Sequence, residues 1–193
     1  MDINTKIVLA SASPSRRMLF ENLGVAFEVH VSGADETVPP ELTPSEKVEI
    51  ISTRKLEAVR AGFYDAVVIA ADSLVALNGQ TLGKPETEDK AAEMLRMLSG
   101  NTHHVVTGVS IAYKDRQTVF SQATAVEFYQ LTDKEIREYI EAGESMGRAG
   151  SYGIEGQGAL LVKAIQGDYS NVVGIPLAET FRRVKKIIAP ENI

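Results

Sequence analysis

The chain has 193 residues and a formal net charge of −6, and 44% of its residues are hydrophobic. This length and composition predict a globular protein with a substantial core and disfavour a disordered or fibrous one. The acidic balance disfavours a nucleic-acid-binding module, and the absence of cysteine excludes disulfides, thiolate metal sites and a cysteine nucleophile. No apolar stretch is long enough to span a bilayer, and the N-terminus does not resemble a signal peptide, so we expect a cytoplasmic protein without a membrane partner.

The first eighty residues predict alternating strands and helices, because apolar runs alternate with capping and turn residues. In chain order they predict a strand at 7–10, a helix at 14–23, a half-buried strand at 25–31, a helix at 44–62 and a strand at 67–71. Pro14 and a capping box formed by Thr43 and Glu46 mark the helix starts. Asp72 stands at the C-terminal end of the last of these strands, and Asn78-Gly79 predicts a hairpin turn.

The rest of the chain continues the mixture of helices and strands. In chain order it predicts a helix at 87–98, long strands at 102–113 and 117–128, a helix at 132–142, a strand at 160–165 and a last helix from 176. Between residues 143 and 158 six of sixteen residues are glycine, which calls for unusual backbone angles or a closely approaching ligand. Together these elements predict an α/β fold with a mixed sheet in one compact domain.

Hydroxyl and guanidinium groups are concentrated at the start of the first predicted helix. They belong to Ser11, Ser13, Ser15, Arg16 and Arg17. Free N–H groups and the helix dipole favour an anion there, and arginine donors match phosphate oxygens. Taken alone, the segment is equally compatible with a helix cap followed by two solvated arginines.

Carboxylates in turns and at a strand end form the second group of candidates. Asp35, Glu36 and Asp72 are placed where Mg²⁺ could be bound together with substrate phosphates, and a carboxylate could also activate a water molecule. A solvated acidic loop and a turn-forming aspartate remain the structural alternatives.

Two lysines and two histidines complete the candidates. Lys84, in a Gly-Lys-Pro turn, and Lys55, in the second predicted helix, could bind phosphate, although an exposed lysine is the alternative. His103 and His104 are neighbours in a predicted strand, so they point to opposite faces and cannot chelate one ion together. No serine has an obvious histidine base, and there is no P-loop motif. Cations for a polyphosphate and carboxylates for a metal together indicate a nucleoside triphosphate hydrolase.

Six sequence motifs stand in order along nearly the whole chain. They are LASASPSRR at 9–17, ADS at 71–73, LGKP at 82–85, LSG at 98–100 with TG at 107–108, AGSYGIEG at 149–156 and VGIPL at 173–177. In these motifs the chain resembles the Maf family of nucleoside triphosphate pyrophosphatases, also called septum-formation Maf-like proteins.

The resemblance implies a single Maf-like domain over residues 1–193. Its implied fold is a Maf/ITPase-like α/β structure, an elongated mixed sheet with flanking helices and two lobes around a deep cleft, usually as a homodimer. The implied activity is hydrolysis of the α–β phosphate bond of a nucleoside triphosphate, as part of nucleotide house-cleaning. The products are a nucleoside monophosphate and pyrophosphate.

The resemblance also implies roles for individual residues. Asp72 is expected to activate the attacking water or to lie close to the metal, and Glu36 to bind a metal or water. The implied phosphate-binding set is Ser11, Ser13, Arg16, Lys55 and Lys84. We expect Mg²⁺ or Mn²⁺ as the cofactor, held by Asp72 and Glu36.

In this resemblance, base choice is tied to Ser15, Ser73 and Glu155. The common pattern, linked to TTP and UTP, has arginine, threonine and glutamine at these positions, and a second pattern, linked to 7-methyl-GTP, has an aromatic residue, glutamine and glutamate. The chain matches neither. An ionised glutamate only accepts hydrogen bonds, which suits the two neighbouring donors of guanine better than the acceptor-flanked donor of uracil. Glu155 therefore favours a guanine-type nucleotide such as 7-methyl-GTP, with a TTP/UTP-type pyrophosphatase as the alternative.

Two other classes of protein are weighed against the enzyme. A nucleotide-binding regulator of septum formation or cell division, without turnover, is disfavoured by the complete set of Glu36, Lys55, Asp72 and Lys84. A nucleic-acid partner is disfavoured by the net charge of −6 and by the low aromatic content of 6%.

Overall fold

The computed structural model describes residues 5–189. These residues divide into two compact units, which are described separately. The first unit comprises residues 5–72, 107–122 and 174–189, and the second comprises residues 73–106 and 123–173. Among the described residues, no helix is long and apolar enough to cross a membrane.

Residues 5–189 contain seven strands and six α-helices. The strands are β1 (Ile7–Leu9), β2 (Glu28–Val29), β3 (Val67–Leu77), β4 (Gln80–Leu82), β5 (Thr102–Tyr113), β6 (Arg116–Phe128) and β7 (Val162–Gln166). The helices are α1 (Pro14–Asn22), α2 (Pro44–Arg60), α3 (Glu88–Leu98), α4 (Asp133–Glu141), α5 (Tyr169–Val173) and α6 (Leu177–Ile188).

The strands form one mixed sheet. Its order is β2-β1-β3-β5-β6-β7, with β4 paired to β3. Strand β1 pairs in parallel with β2 and β3, whereas β3–β4 and β6–β7 are antiparallel. The predicted α/β class with a mixed sheet and helices is therefore confirmed.

In the first unit, the core places helix α2 against the sheet. Its buried members include Val8, Ala10, Leu56, Val59, Val68 and Ala70. Gly108 on β5 lies so close to α2 that a Cβ atom there would overlap the backbone carbonyl of Val48. Glycine at this position therefore lets the helix approach the strand, and that approach fixes where the side chains of α2 point.

Local capping signals in the sequence correctly predict the helix starts. The capping box of α2 is complete, because the Thr43 N–H donates to Glu46 Oε2 at 2.8 Å and the Glu46 N–H donates to Thr43 Oγ1 at 3.3 Å. The capping box of Thr132 and Glu135 opens α4 in the same way. These motifs need only neighbouring residues, which is why they can be recognised without the fold.

In the second unit, the rings of Phe128 and Tyr152 pack against a buried histidine, His103. His103 Nε2 and Tyr152 Oη form a 2.7 Å hydrogen bond, and Phe128 lies edge-on to both rings. Burial, followed by the nearby charge of His104, lowers the pKa of His103 from 6.5 to about 4, and burial also raises the pKa of Tyr152. His103 is fully buried whereas His104 is exposed, as the strand alternation predicts.

Two strand predictions differ from the structure because sheet pairing decides them. The half-buried strand expected at 25–31 is reduced to Glu28–Val29, and both residues are exposed. Within residues 5–189, strand β2 forms one edge of the sheet and pairs only with β1. Asp72 does not end its strand, because β3 continues to Leu77 and pairs there with β4 across the predicted Asn78-Gly79 turn.

Near the C-terminus the predicted elements are shifted or incomplete. The strand expected at 160–165 is β7 at Val162–Gln166, because Leu160 belongs to a 3-10 turn over residues 157–161. Helix α5 was not predicted, since five residues are too few to show a helical period. The last helix begins next to Pro176, in line with the prediction.

Candidate active site

The start of α1 carries a buried arginine in the first unit. Ser13 caps the helix by accepting a hydrogen bond from the Arg16 N–H, and Pro14 takes the first helical position. The Arg16 side chain turns inward, where Nε donates to the Gly174 carbonyl at 2.7 Å and Nη1 donates to Ser11 Oγ at 3.3 Å. Gly174 has a φ of +141°, which favours glycine, and its lack of a side chain leaves room for the arginine stem. Three of the predicted phosphate-binding residues thus lie together.

Lys55 joins the two predicted metal-binding carboxylates. Its Nζ lies 2.7 Å from Asp72 Oδ1 and 2.7 Å from Glu36 Oε1. The side chains of Lys55 and Asp72 are only 11% and 13% exposed, whereas that of Glu36 is 49% exposed. Helix α2, strand β3 and the loop after β2 therefore converge on one ammonium group, although these residues are far apart in sequence.

The loop that carries Glu36 is held by the residue next to Lys55. Arg54 Nη1 donates to the Thr37 carbonyl at 2.6 Å and to the Asp35 carbonyl at 3.3 Å. Asp35 itself accepts a hydrogen bond from the Thr37 N–H, and this bond is the main cause that lowers the pKa of its carboxyl group. Asp35 thus shapes the loop, while Glu36 reaches Lys55.

Arg16 and the carboxylates also interact through their charges. Burial lowers the pKa of the Arg16 guanidinium, and the negative charges of Asp72 and Glu36 oppose that lowering. A guanidinium nevertheless remains protonated in proteins. The first unit therefore brings together two cations and two anions, which we call the charged cluster: Arg16, Glu36, Lys55 and Asp72.

The charged cluster fits the ligand requirements of a divalent cation. Asp72 and Glu36 each place an oxygen 2.7 Å from the same nitrogen, so these two oxygens lie within twice that distance of each other. Mg²⁺ is commonly bound by one or two carboxylates together with substrate phosphates. Residues 5–189 contain no group of three or more acidic or histidine side chains suited to a metal. Two carboxylates supply too few oxygens for Mg²⁺ by themselves, so a metal here would need further oxygen ligands such as those of a phosphate.

The remaining predicted residues are placed as follows. Ser15 is half-buried on α1, in the first unit. In the second unit, Ser73 is half-buried on β3 and Lys84 is exposed in the loop after β4. The loop of Lys84 is anchored by a 3.0 Å hydrogen bond from the Gly150 N–H to the Gly83 carbonyl.

Glu155 is tied to an arginine of its own segment. Arg148 Nη1 contacts Glu155 Oε1 at 2.5 Å, and the glutamate side chain is 12% exposed. The carboxylate is thus charge-compensated, a fact that its sequence position alone does not reveal.

Comparison with known proteins agrees with the motifs. The model of a family described as Maf-like protein matches residues 6–187. The chain belongs to the Maf family. A relative from Geobacillus sp. (strain WCH70), named dTTP/UTP pyrophosphatase, is 46% identical over 182 residues, which cover 94% of this chain and 98% of the relative. A relative from Pelotomaculum thermopropionicum with the same name is 46% identical over 183 residues, covering 94% of this chain and 96% of its own.

Among solved structures, the Ham1 protein of Staphylococcus aureus aligns with 65% of this Maf-family chain and with 72% of its own length. The identity is 20% and the TM-score is 0.44, which is too weak to carry a conclusion. The family resemblance is therefore confirmed by sequence, and the names of the relatives favour the TTP/UTP alternative over the guanine type.

Sequence reasoning missed the residues that hold this Maf-family site in place. Arg54 gives no signal, because its role depends on a loop that lies seventeen to nineteen residues away. Arg148 could have been noticed as a cation within the glycine-rich segment, but its partner is set by the backbone path of that segment.

Proposed function

We propose that this Maf-family chain hydrolyses dTTP and UTP between the α and β phosphates, releasing the nucleoside monophosphate and pyrophosphate. The observation that carries the proposal is the charged cluster, in which Lys55 binds both Glu36 and Asp72 while Arg16 lies buried at the start of α1. The printed names of relatives at 46% identity support the same reaction.

The charged cluster is complementary to a triphosphate that arrives with a metal. Poorly exposed charges are costly, so cations and anions in such a place pair with each other when no ligand is bound. A metal ion would take over the carboxylates, and phosphate oxygens would take over the ammonium and guanidinium groups. The ion pairs of Lys55 with Glu36 and Asp72 therefore keep the cluster neutral and arranged for its ligand.

Each member of the cluster has a role in this proposal. Asp72 orients a water molecule and takes its proton as the water oxygen attacks the α phosphorus. The bond from that phosphorus to the bridging oxygen breaks, and pyrophosphate leaves with the electron pair. Arg16 and Lys55 stabilise the negative charge that develops on the phosphates, and Ser11 and Ser13 add hydroxyl groups at the start of α1.

We assign the divalent cation, Mg²⁺ or Mn²⁺, to Glu36 and Asp72. When bound, the metal would stabilise charge on the attacked phosphoryl group as a Lewis acid. For Lys84, the proposed role as a phosphate ligand rests on the family motif LGKP at 82–85, whose turn is held by the Gly150 hydrogen bond.

The ion pair of Glu155 removes the argument for a guanine base, and the names of the relatives support a pyrimidine base. The argument for guanine assumed a carboxylate whose charge is uncompensated, and Arg148 removes that assumption. We therefore propose Glu155 as the residue of the second unit that contacts a uracil or thymine base.

The test is pyrophosphate release from dTTP, UTP, GTP, 7-methyl-GTP, dATP and dCTP, each with Mg²⁺, Mn²⁺ or chelator. We expect metal-dependent release that is fastest with dTTP and UTP. Asp72→Asn should lower kcat at least about 10²-fold, because the water loses its proton acceptor. Asp65→Asn is the matched control, since this aspartate is 85% exposed and lies 4.0 Å from Lys114.

This set of nucleotides tests the base preference and the reaction separately. A faster reaction with GTP or 7-methyl-GTP would overturn the pyrimidine preference. Nucleotide binding without pyrophosphate release under any condition would overturn the reaction and favour a regulator.

A further inference from the structure

We propose that Arg148 is a specificity-determining residue, because its ion pair with Glu155 makes a glutamate at this position compatible with a pyrimidine base. The inference rests on the proposed function and concerns how the protein recognises the base of its nucleotide substrate. Its ligand class is a uracil or thymine nucleotide.

The ion pair is built into the segment that follows α4. Arg148 Nη1 lies 2.5 Å from Glu155 Oε1, and the two side chains are 31% and 12% exposed. Gly153 makes this contact possible, because a Cβ atom there would overlap the Arg148 guanidinium. A glycine between the two partners thus lets the arginine lie across the backbone and reach the glutamate.

Further contacts hold the backbone around Glu155. The Gly153 N–H donates to Tyr139 Oη at 3.1 Å, and the Gln157 N–H donates to Glu144 Oε2 at 2.8 Å. Gly156 leaves room for the Glu144 carboxylate, which a Cβ atom at that position would overlap. The backbone is therefore anchored on both sides of Glu155, so the ion pair has a defined geometry.

The pair offers a different hydrogen-bonding pattern from either residue alone. A carboxylate only accepts hydrogen bonds and a guanidinium only donates them. Uracil and thymine present an N–H flanked by two carbonyl oxygens, so a reader of this edge needs both a donor and an acceptor. The glutamine that the common family pattern has at position 155 supplies both from one amide. We infer that Arg148 and Glu155 supply them together, and that the arginine cancels the charge that would repel the carbonyl oxygens.

Three variants compared with the wild type test this inference. The dissociation constants of dTMP and GMP would be measured calorimetrically for the wild type, Arg148→Met, Glu155→Gln and the double variant. Arg148→Met should lower the preference for dTMP over GMP at least about tenfold, because it leaves an unpaired carboxylate facing the base. Glu155→Gln and the double variant should stay within about threefold of the wild type, because an amide can replace the pair.

Two further variants control for charge and for folding. Arg148→Lys keeps the positive charge and should retain most of the preference. Arg96→Met removes another ion pair of the second unit, the 2.8 Å contact with Asp133, and should leave the preference unchanged. If Arg148→Met does not fold, the double variant carries the test, since it buries no unpaired charge; a preference for GMP would then overturn the inference.

Several results would contradict the role of Arg148. They are an unchanged preference in Arg148→Met, equal weakening of both nucleotides in that variant, a double variant no better than Arg148→Met, or no binding of either nucleotide by the wild type. Because monophosphate binding needs no turnover, a wild type that binds dTMP without hydrolysing dTTP would overturn the proposed function alone.

Discussion

The two units of this Maf-family chain hold their charged side chains in different ways. In the first unit, the single ammonium of Lys55 serves two carboxylates, those of Glu36 and Asp72. In the second unit, Glu155 contacts Arg148, and the loop backbone is built around that contact. A shared cation can exchange its carboxylates for phosphate when a ligand binds, whereas a pair enclosed by its own loop is retained. This difference is the basis for the roles proposed above, in which the charged cluster carries out the reaction and Glu155 with Arg148 selects the base.

Removing the shared cation should have the largest effect. Lys55→Met leaves two carboxylates without the ammonium between them, and breaking a poorly exposed ion pair in this way costs about 3 kcal/mol of folding free energy. Urea denaturation would measure the loss. Lys90→Met is the control, because its contact with Glu93 lies on the surface. Equal denaturation midpoints for the two variants would show that the cluster does not depend on Lys55.

The second unit also contains a buried histidine, His103, that stays neutral, in contrast to the charged cluster of the first unit. Burial lowers the pKa of His103 to about 4 from its ordinary 6.5. The unfolded chain therefore takes up the proton first as the pH falls, so stability contributed by this residue is present above pH 6.5 and is lost toward pH 4. Between pH 7.5 and pH 5 the free energy of unfolding should fall by about 2 kcal/mol.

Two glutamine variants test the contribution of His103. His103→Gln should lose this part of the pH dependence in urea denaturation, whereas His104→Gln, at the exposed neighbouring position, should keep it. The same pH dependence in both variants would contradict a neutral buried His103.

The smallest expected effect concerns the loop that carries Glu36. Arg54→Met removes the hydrogen bonds to the Thr37 and Asp35 carbonyls, so Glu36 should be less well positioned. We expect the Mg²⁺ concentration for half-maximal activity to rise about threefold with kcat nearly unchanged. Arg96→Met again serves as the control. A fall in kcat without a change in metal requirement would instead place Arg54 in the chemical step.

The sequence predicts the parts of this structure that depend on near neighbours. The capping box of Thr43 and Glu46 and the Asn78-Gly79 turn both form as expected, because each needs only a few consecutive residues. The exposed β2 and the continuation of β3 beyond Asp72 could not be predicted in this way. Both depend on which strands lie alongside.

In the candidate site, too, the sequence predicts which residues take part but not how they pair. The motifs contain Arg16 and Asp72, and the family resemblance adds Glu36 and Lys55. Only the fold shows that Lys55 binds both carboxylates. For Glu155, side-chain chemistry in isolation favoured guanine, because the sequence does not show that Arg148 compensates its charge. A charged residue can therefore be assigned a role only together with its partner.

The most direct test of this division of roles is kcat/KM for dTTP and GTP in the wild type, Asp72→Asn and Arg148→Met. We predict that Asp72→Asn lowers both values at least about 10²-fold and leaves their ratio unchanged, because it removes a step common to all nucleotides. Arg148→Met should lower the ratio of dTTP to GTP at least about tenfold. A changed ratio in Asp72→Asn, or an equal loss for both nucleotides in Arg148→Met, would contradict the assignment of chemistry to the first unit and base selection to the second.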